Sequence, residues 1–233
     1  AVEVTGSPAP GYTSADAIAA LEEVGDEVLP QDMTYSWNAM SFQEKKASGS
    51  LMIILTFSLL FVFLILSAQY ESWSLPFSIL LGTPFAIFGA LVFLWIARLF
   101  SPTFENNIFA QVSFVMLIGM AAKNAILIVE FANEEFKDGA SLYDAAMKAA
   151  KSRFRPILMT AFSFILGVFP LVIASGSGAE SRKVMGMALL GGMSLATLLG
   201  VFFYPMLFIL IGKIAGYEKK RDKELATSIE TSN

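Results

Sequence analysis

Polar and apolar positions divide this chain into two unequal parts. Residues 1–46 mix charged, hydroxyl and apolar side chains, whereas residues 51–211 are long apolar runs parted by short polar stretches. The runs lie at about 51–67, 75–96, 109–132, 156–174 and 184–211. Each approaches or exceeds the roughly 20 residues that an α-helix needs to cross about 30 Å of hydrocarbon. The pattern predicts five transmembrane helices within a membrane region at 47–213. The longest connection, 133–155, carries Leu142, Ala145, Ala146 and Ala149 at helical spacing. That spacing predicts a separate amphipathic helix over 141–151. Pro156 then suits the first turn of the fourth span, where its missing N–H is not needed.

Ahead of the spans, Thr13 or Ser14 can cap a helix with Ile18, Leu21, Val24 and Val28 on one face and Glu22, Glu23, Asp26 and Glu27 elsewhere. Leu29-Pro30 ends that helix, and residues 33–40 read as a short strand. One helix and one strand cannot enclose a core, so residues 1–46 are expected to be the tail of a larger α+β domain. The fold class expected is mainly α, a polytopic helical membrane protein preceded by this short α+β piece. The chain opens on Ala1 with no leader pattern, so its start is expected to lie inside a longer polypeptide. Residues 214–233 are polar and charged, and read as a disordered tail.

Composition agrees with the pattern. The chain is 55% hydrophobic and 15% charged, with 21 Phe, more apolar surface than a soluble domain of 233 residues can hide. It has neither Cys nor His, so disulfides, thiolate metal sites and imidazole proton carriers are excluded. Proton chemistry is left to carboxylates, Lys, Arg, Tyr, hydroxyls and water. A formal charge of −4 gives no footing for nucleic acid. The bilayer's lipid is the partner that composition implies.

The cationic residues set an orientation. Lys137, Lys148, Lys151, Arg153, Arg155, Lys213, Lys219, Lys220, Arg221 and Lys223 fall on one side of five alternating spans; Lys45, Lys46, Arg98, Arg182 and Lys183 fall on the other. The richer side is expected to be cytoplasmic, which puts the C-terminus in the cytoplasm and residues 1–46 outside it.

One charge lies within a span. Lys123 sits near the centre of the third, in Gly119-Met-Ala-Ala-Lys123-Asn124-Ala-Ile-Leu-Ile-Val-Glu130. A Lys at mid-bilayer costs roughly 3 kcal/mol on insertion scales, so it needs a partner or water. Glu130 is two turns away, about 10 Å along the axis and too far for a direct pair. No Asp or Glu lies deep in any span, so the counter-ion is expected outside this chain. The plainer alternative is that Lys123 bonds backbone carbonyls and locks helices together. The fourth span opens with Arg153-Phe-Arg155-Pro156-Ile-Leu-Met-Thr160, in which Arg153 and Thr160 share a helical face while Arg155 points elsewhere and reads as an interfacial anchor. Small residues form stripes, Gly82, Ala86 and Ala90 on the second span and Ala188, Gly192, Ala196 and Gly200 on the last, which read as helix-packing surfaces. The Gly176–Gly178 run lacks the Lys-Ser/Thr of a phosphate loop.

Several of these stretches together resemble the resistance-nodulation-division transporters, specifically the hydrophobe/amphiphile efflux branch typified by AcrB. They are Tyr35-Ser-Trp37-Asn-Ala-Met-Ser41-Phe-Gln43-Glu44, Ala68-Gln-Tyr70-Glu71-Ser72-Trp73-Ser-Leu-Pro76-Phe, Gly119 through Phe131, Arg155-Pro-Ile-Leu-Met-Thr160 and Gly167-Val-Phe-Pro170-Leu-Val. The resemblance covers all but the tail. It implies a twelve-span subunit of a drug:proton antiporter in the inner membrane of a Gram-negative bacterium, with this chain as spans eight to twelve and residues 1–46 as the end of a periplasmic porter domain. It further implies a homotrimer, a periplasmic adaptor, an outer-membrane channel and multidrug resistance, with the proton as coupling ion, no cofactor and no enzymatic activity. By position in the motifs, Lys123, Asn124, Arg153 and Thr160 correspond to the family's proton relay, and its Asp pair falls in the missing N-terminal half. The Lys-Asn pair, with the lack of His and Cys, favours the amphiphile branch over the metal-exporting one. Two rival readings are a non-transporting structural membrane subunit and a lipid- or protein-export factor with the same membrane core.

Overall fold

The computed structural model describes residues 2–6, 9, 12, 14–30, 32–48, 51–101, 104–176 and 178–217. The tail expected at 218–233, with Lys219, Lys220, Arg221 and Lys223, lies outside them, as do Thr13 and Ser177. Among the described residues the chain is helical and contains no strand. The helices are α1 (Ser14–Val28), α2 (Ala39–Ser48), α3 (Leu51–Tyr70), α4 (Leu75–Leu80), α5 (Thr83–Arg98), α6 (Ile108–Lys137), α7 (Leu142–Val172) and α8 (Ala179–Ile214). Five stretches of the described residues are long and apolar enough to cross a membrane: Ile53–Tyr70, Leu75–Arg98, Ile108–Lys137, Leu142–Val172 and Ala179–Ile214. The protein is a polytopic helical membrane protein.

The strand expected at 33–40 does not form: residues 33–38 are irregular, and α2 begins at Ala39. A lone strand has no partner for its backbone groups, so this segment lies against α1 through side chains instead. Tyr35 donates to Asp26 Oδ1 at 3.1 Å, and Trp37 Nε1 donates to Glu22 Oε1 at 2.7 Å. Lys45 of α2 pairs with the same carboxylate. Hydrogen bonds from Lys45 and then Trp37 hold Glu22 below the usual carboxylate range. No residue of α1 is buried, and Leu21, Val24 and Val28 remain exposed.

The second span is one apolar run with a break at its start. Pro84 has no N–H to give the residue-80 carbonyl, and Thr83 Oγ1 donates to that oxygen instead, at 2.8 Å. The chain turns at Leu81-Gly82 and resumes as α5. The fourth span departs from expectation in the opposite way. No separate amphipathic helix stands before it, because α7 runs unbroken through Pro156 from Leu142 to Val172. The physical reason is packing on both sides of the proline: Leu142, Ala145, Ala146 and Ala149 before it and Ile157 and Ala161 after it are buried, and α7 lies against both α6 and α8. Packing along two neighbours outweighs one lost backbone hydrogen bond and the local strain of the ring.

Helix α8 is the spine, packing against α5, α6 and α7. Its small residues allow near contact of backbones. A Cβ at Gly89 of α5 would stand 2.7 Å from the Gly191 carbonyl oxygen, and one at Gly192 would stand 2.9 Å from the Ala86 carbonyl. Ala86, Ala90, Ala188 and Ala196 are all buried. Gly82 and Gly200 flank the Tyr204 ring, which a Cβ at either position would overlap. Helix α3 is held differently. Among its described side chains only Leu66, near its C-terminal end, is buried, with Phe63 set against Trp73 and Phe77.

Candidate functional site

The centre of α6 presents opposite chemistries on two faces. Its buried side carries Leu117, Ile118, Ala121, Ala122, Asn124 and Ala125, packed into the bundle. Its other side carries Val112, Met116, Gly119, Lys123 and Glu130, all exposed. Lys123 therefore projects from an uncovered face and has no ion-pair partner among the described residues. Asn124, its sequence neighbour, is only 2% exposed and turns into the interface with α8. There its Nδ2 donates to Thr197 Oγ1 at 3.4 Å, while Oδ1 has no partner among the described residues. Consecutive helical residues differ by about 100° around the axis, so one cannot face where the other does. The structure does not bring Lys123 and Asn124 onto one face.

Arg153 and Thr160 lie on α7, which packs beside α6. The Arg153 guanidinium rests over the Phe131 ring, 4.7 Å from its centroid, and Arg153 Nε is buried without a partner among the described residues. Such a contact contributes about 0.5–2 kcal/mol, more as water is excluded. Thr160 is exposed and donates to its own Ile157 carbonyl at 3.0 Å. Arg155 is exposed, one residue beyond Phe154. Helical rise relates the levels. Phe131 lies about 12 Å along α6 from Lys123, and Thr160 lies about 10 Å along α7 from Arg153. Because the helices run antiparallel and Arg153 sits at Phe131, Thr160 stands near the level of Lys123. Ser163 and Gly167 continue the exposed side of α7 beyond it, and a Cβ added at Gly167 or at Gly119 would meet nothing within 4 Å.

Two residues of α8 that the pattern of the sequence did not single out join the site from behind. Thr197 holds Asn124, and two turns further along α8 Tyr204 donates to the Ala121 carbonyl at 3.4 Å. Both are almost wholly buried. With Ser194 they are the polar side chains of an otherwise apolar stretch from 184 to 212, which was the available signal. Buried hydrogen bonds between membrane helices contribute about 0.6 kcal/mol on average and at most about 1.7. The pair therefore orients α6 on α8 more than it stabilises it. Among the described residues no group of acidic side chains could hold a metal ion.

The AcrB/AcrD/AcrF family matches residues 1–212 of the chain. Toluene efflux pump membrane transporter TtgB of Pseudomonas putida is 44% identical over 225 residues, covering 97% of this chain and 21% of that protein. Multidrug export protein AcrF of Escherichia coli (strain K12) is 42% identical over 211 residues, 90% of this chain and 20% of its own length. Multidrug resistance protein MdtF of the same Escherichia coli strain is 40% identical over 220 residues, 94% of this chain and 21% of its own. The chain spans about a fifth of the length of these curated relatives.

Proposed function

The chain belongs to the AcrB/AcrD/AcrF family, and on that footing we propose that it is the C-terminal part of a resistance-nodulation-division efflux subunit that exports hydrophobic and amphiphilic compounds in exchange for protons. The observation that carries this reading is Lys123: an ammonium at the middle of a 30-residue apolar helix, on an uncovered face, with no carboxylate facing it among the described residues. Its partner is an Asp pair on the N-terminal half of the same polypeptide. Protonating that pair removes the charge that Lys123 answers, and the ammonium turns along the open face toward Thr160. Asn124 stays anchored to Thr197, so the movement of Lys123 is referred to α8 as a fixed frame. Helices that pack in two arrangements convert this local neutralisation into porter movement.

Residues 1–46 are the end of a periplasmic porter domain, whose remaining strands pair with the irregular segment at 33–38 and cover the exposed stripe of α1. The subunit is a multi-pass protein of a Gram-negative inner membrane, with residues 1–46 periplasmic and the C-terminus cytoplasmic. It assembles as a homotrimer with a periplasmic adaptor and an outer-membrane channel.

Two measurements test this. In the complete polypeptide, Gly25→Cys should react in intact cells with an impermeant thiol reagent, and Asp138→Cys should react only after the membrane is opened. Labelling of Asp138→Cys from outside overturns the orientation. In proteoliposomes, dye export should stop when a protonophore removes the proton gradient, and export that persists without it excludes proton antiport.

A further inference from the structure

Between α7 and α8 the surface opens into a groove of about 400 Å³. Met147, Lys151 and Phe154 line it from α7, and Val201, Phe202 and Pro205 line it from α8. Positions 147, 151 and 154 follow the i, i+4, i+7 spacing of a single helical face. The groove wall is apolar apart from Lys151, and Phe154 and Phe202 stay exposed along it. Lys148, one turn earlier, is engaged with Glu135 at 2.6 Å. Lys151 is not so engaged, nor is Arg155, four residues on; both are exposed and neither has an ion-pair partner among the described residues. Residues four apart on a helix are neighbours, so two free cations stand together beside an apolar trough.

The level of the groove in the bundle fits an interface. Leu142 of α7 packs against Gly212 of α8. Counting back about 14 Å along each antiparallel helix brings Lys151 level with the Phe202–Pro205 turn. That is the basic end of the bundle, where Lys137, Lys148, Lys151, Arg153, Arg155 and Lys213 collect. A free anion would use the cations but leave the trough empty. A neutral apolar molecule would use the trough and gain nothing from the cations.

We propose that this groove binds an anionic phospholipid, its headgroup phosphate held by Lys151 and Arg155 and an acyl chain laid along Phe154 and Phe202. Basic pockets between membrane helices on the cytoplasmic side have this pairing of charge and apolar wall. The assignment to the inner leaflet rests on the orientation proposed above; the groove and its charge do not.

The test places a tryptophan reporter at Phe202 (Phe202→Trp) in the complete polypeptide, reconstituted with brominated phosphatidylglycerol or brominated phosphatidylcholine at equal mole fraction. Quenching is read against the parent protein, to subtract the native tryptophans. Brominated phosphatidylglycerol should quench the reporter preferentially. Lys151→Gln and Arg155→Gln should each weaken that preference roughly five-fold, the effect of one interfacial cation, while Lys151→Arg retains it. A control reporter, Phe162→Trp, on the exposed side of α7 two turns beyond Phe154, should show no preference. Equal preference at both reporters means general attraction to the basic belt and overturns the site. Quenching by neither lipid means the groove is filled by another part of the transporter, which overturns it as well. Thermal unfolding in lipid-free detergent should be unchanged in Lys151→Gln, so a lost preference cannot be read as misfolding.

Discussion

Lys123→Ala in the complete transporter should reduce efflux to the level of cells without the pump, with expression and trimer assembly unchanged. The expected fall in export rate is on the order of a hundred-fold or more, the lower end of what a positioned proton-handling group contributes. The asymmetry between lost activity and kept stability follows from where the side chain lies. Lys123 is exposed and has no ion pair among the described residues, so shortening it opens no cavity. In the complete transporter the carboxylates left facing the truncated side chain can take up protons, so no unanswered charge remains. Arg153→Ala should impair export and also lower the unfolding temperature, because it removes the guanidinium from the Phe131 ring. Thr160→Ala should impair export without a stability change, since among the described residues its hydroxyl bonds its own helix. Arg155→Ala should affect export least. Dye efflux and unfolding temperature measured on the same four variants separate these outcomes. A fully active Lys123→Ala pump would return Lys123 to the role of a packing lock.

What the sequence displayed well was the number of spans and the residues with unusual chemistry. Hydropathy alone located the five apolar helices, because a span of lipid demands a length that few other constraints imitate. Local breaks were harder to read. The turn at Leu81-Gly82 and the unbroken passage through Pro156 both involve a proline inside an apolar run, at Pro84 in the first case. At Pro84 the Leu81-Gly82 turn precedes the ring and the Thr83 hydroxyl takes the freed carbonyl, whereas at Pro156 one helix packs against α6 and α8 on both sides of the ring; neither outcome follows from the proline alone. The strand expected at 33–40 failed for a related reason: extended segments need partners, and none is present among the described residues. In the candidate site, Lys123 was visible as a cation without an acid. Its direction relative to Asn124 was not, since adjacency in sequence is separation around a helix. Thr197 and Tyr204 passed unnoticed because their role depends on facing α6 rather than lipid.

Expressed alone, this chain should give efflux-deficient cells no added resistance to amphiphilic drugs. Lys123 would then meet lipid from an uncovered face, and an ammonium in that position draws in water or distorts the bilayer. Each costs several kcal/mol, comparable with the whole stability of an ordinary fold. The exposed sides of α6 and α7 would also lack the helix that Gly119 and Gly167 leave room for. The chain alone should therefore accumulate poorly and be degraded. Supplying a matching N-terminal half in trans should restore both accumulation and resistance, because the Asp pair and the covering helices return together. Changing that Asp pair to Asn in the same half separates the two contributions. Accumulation should persist, since the covering helices are intact and amide groups can still bond the ammonium, while resistance should be lost. The measurement is drug susceptibility alongside immunoblot of cells carrying this chain, both halves, both halves with the Asn substitutions, or neither. Resistance conferred by this chain without its partner half would contradict a proton relay divided between the two.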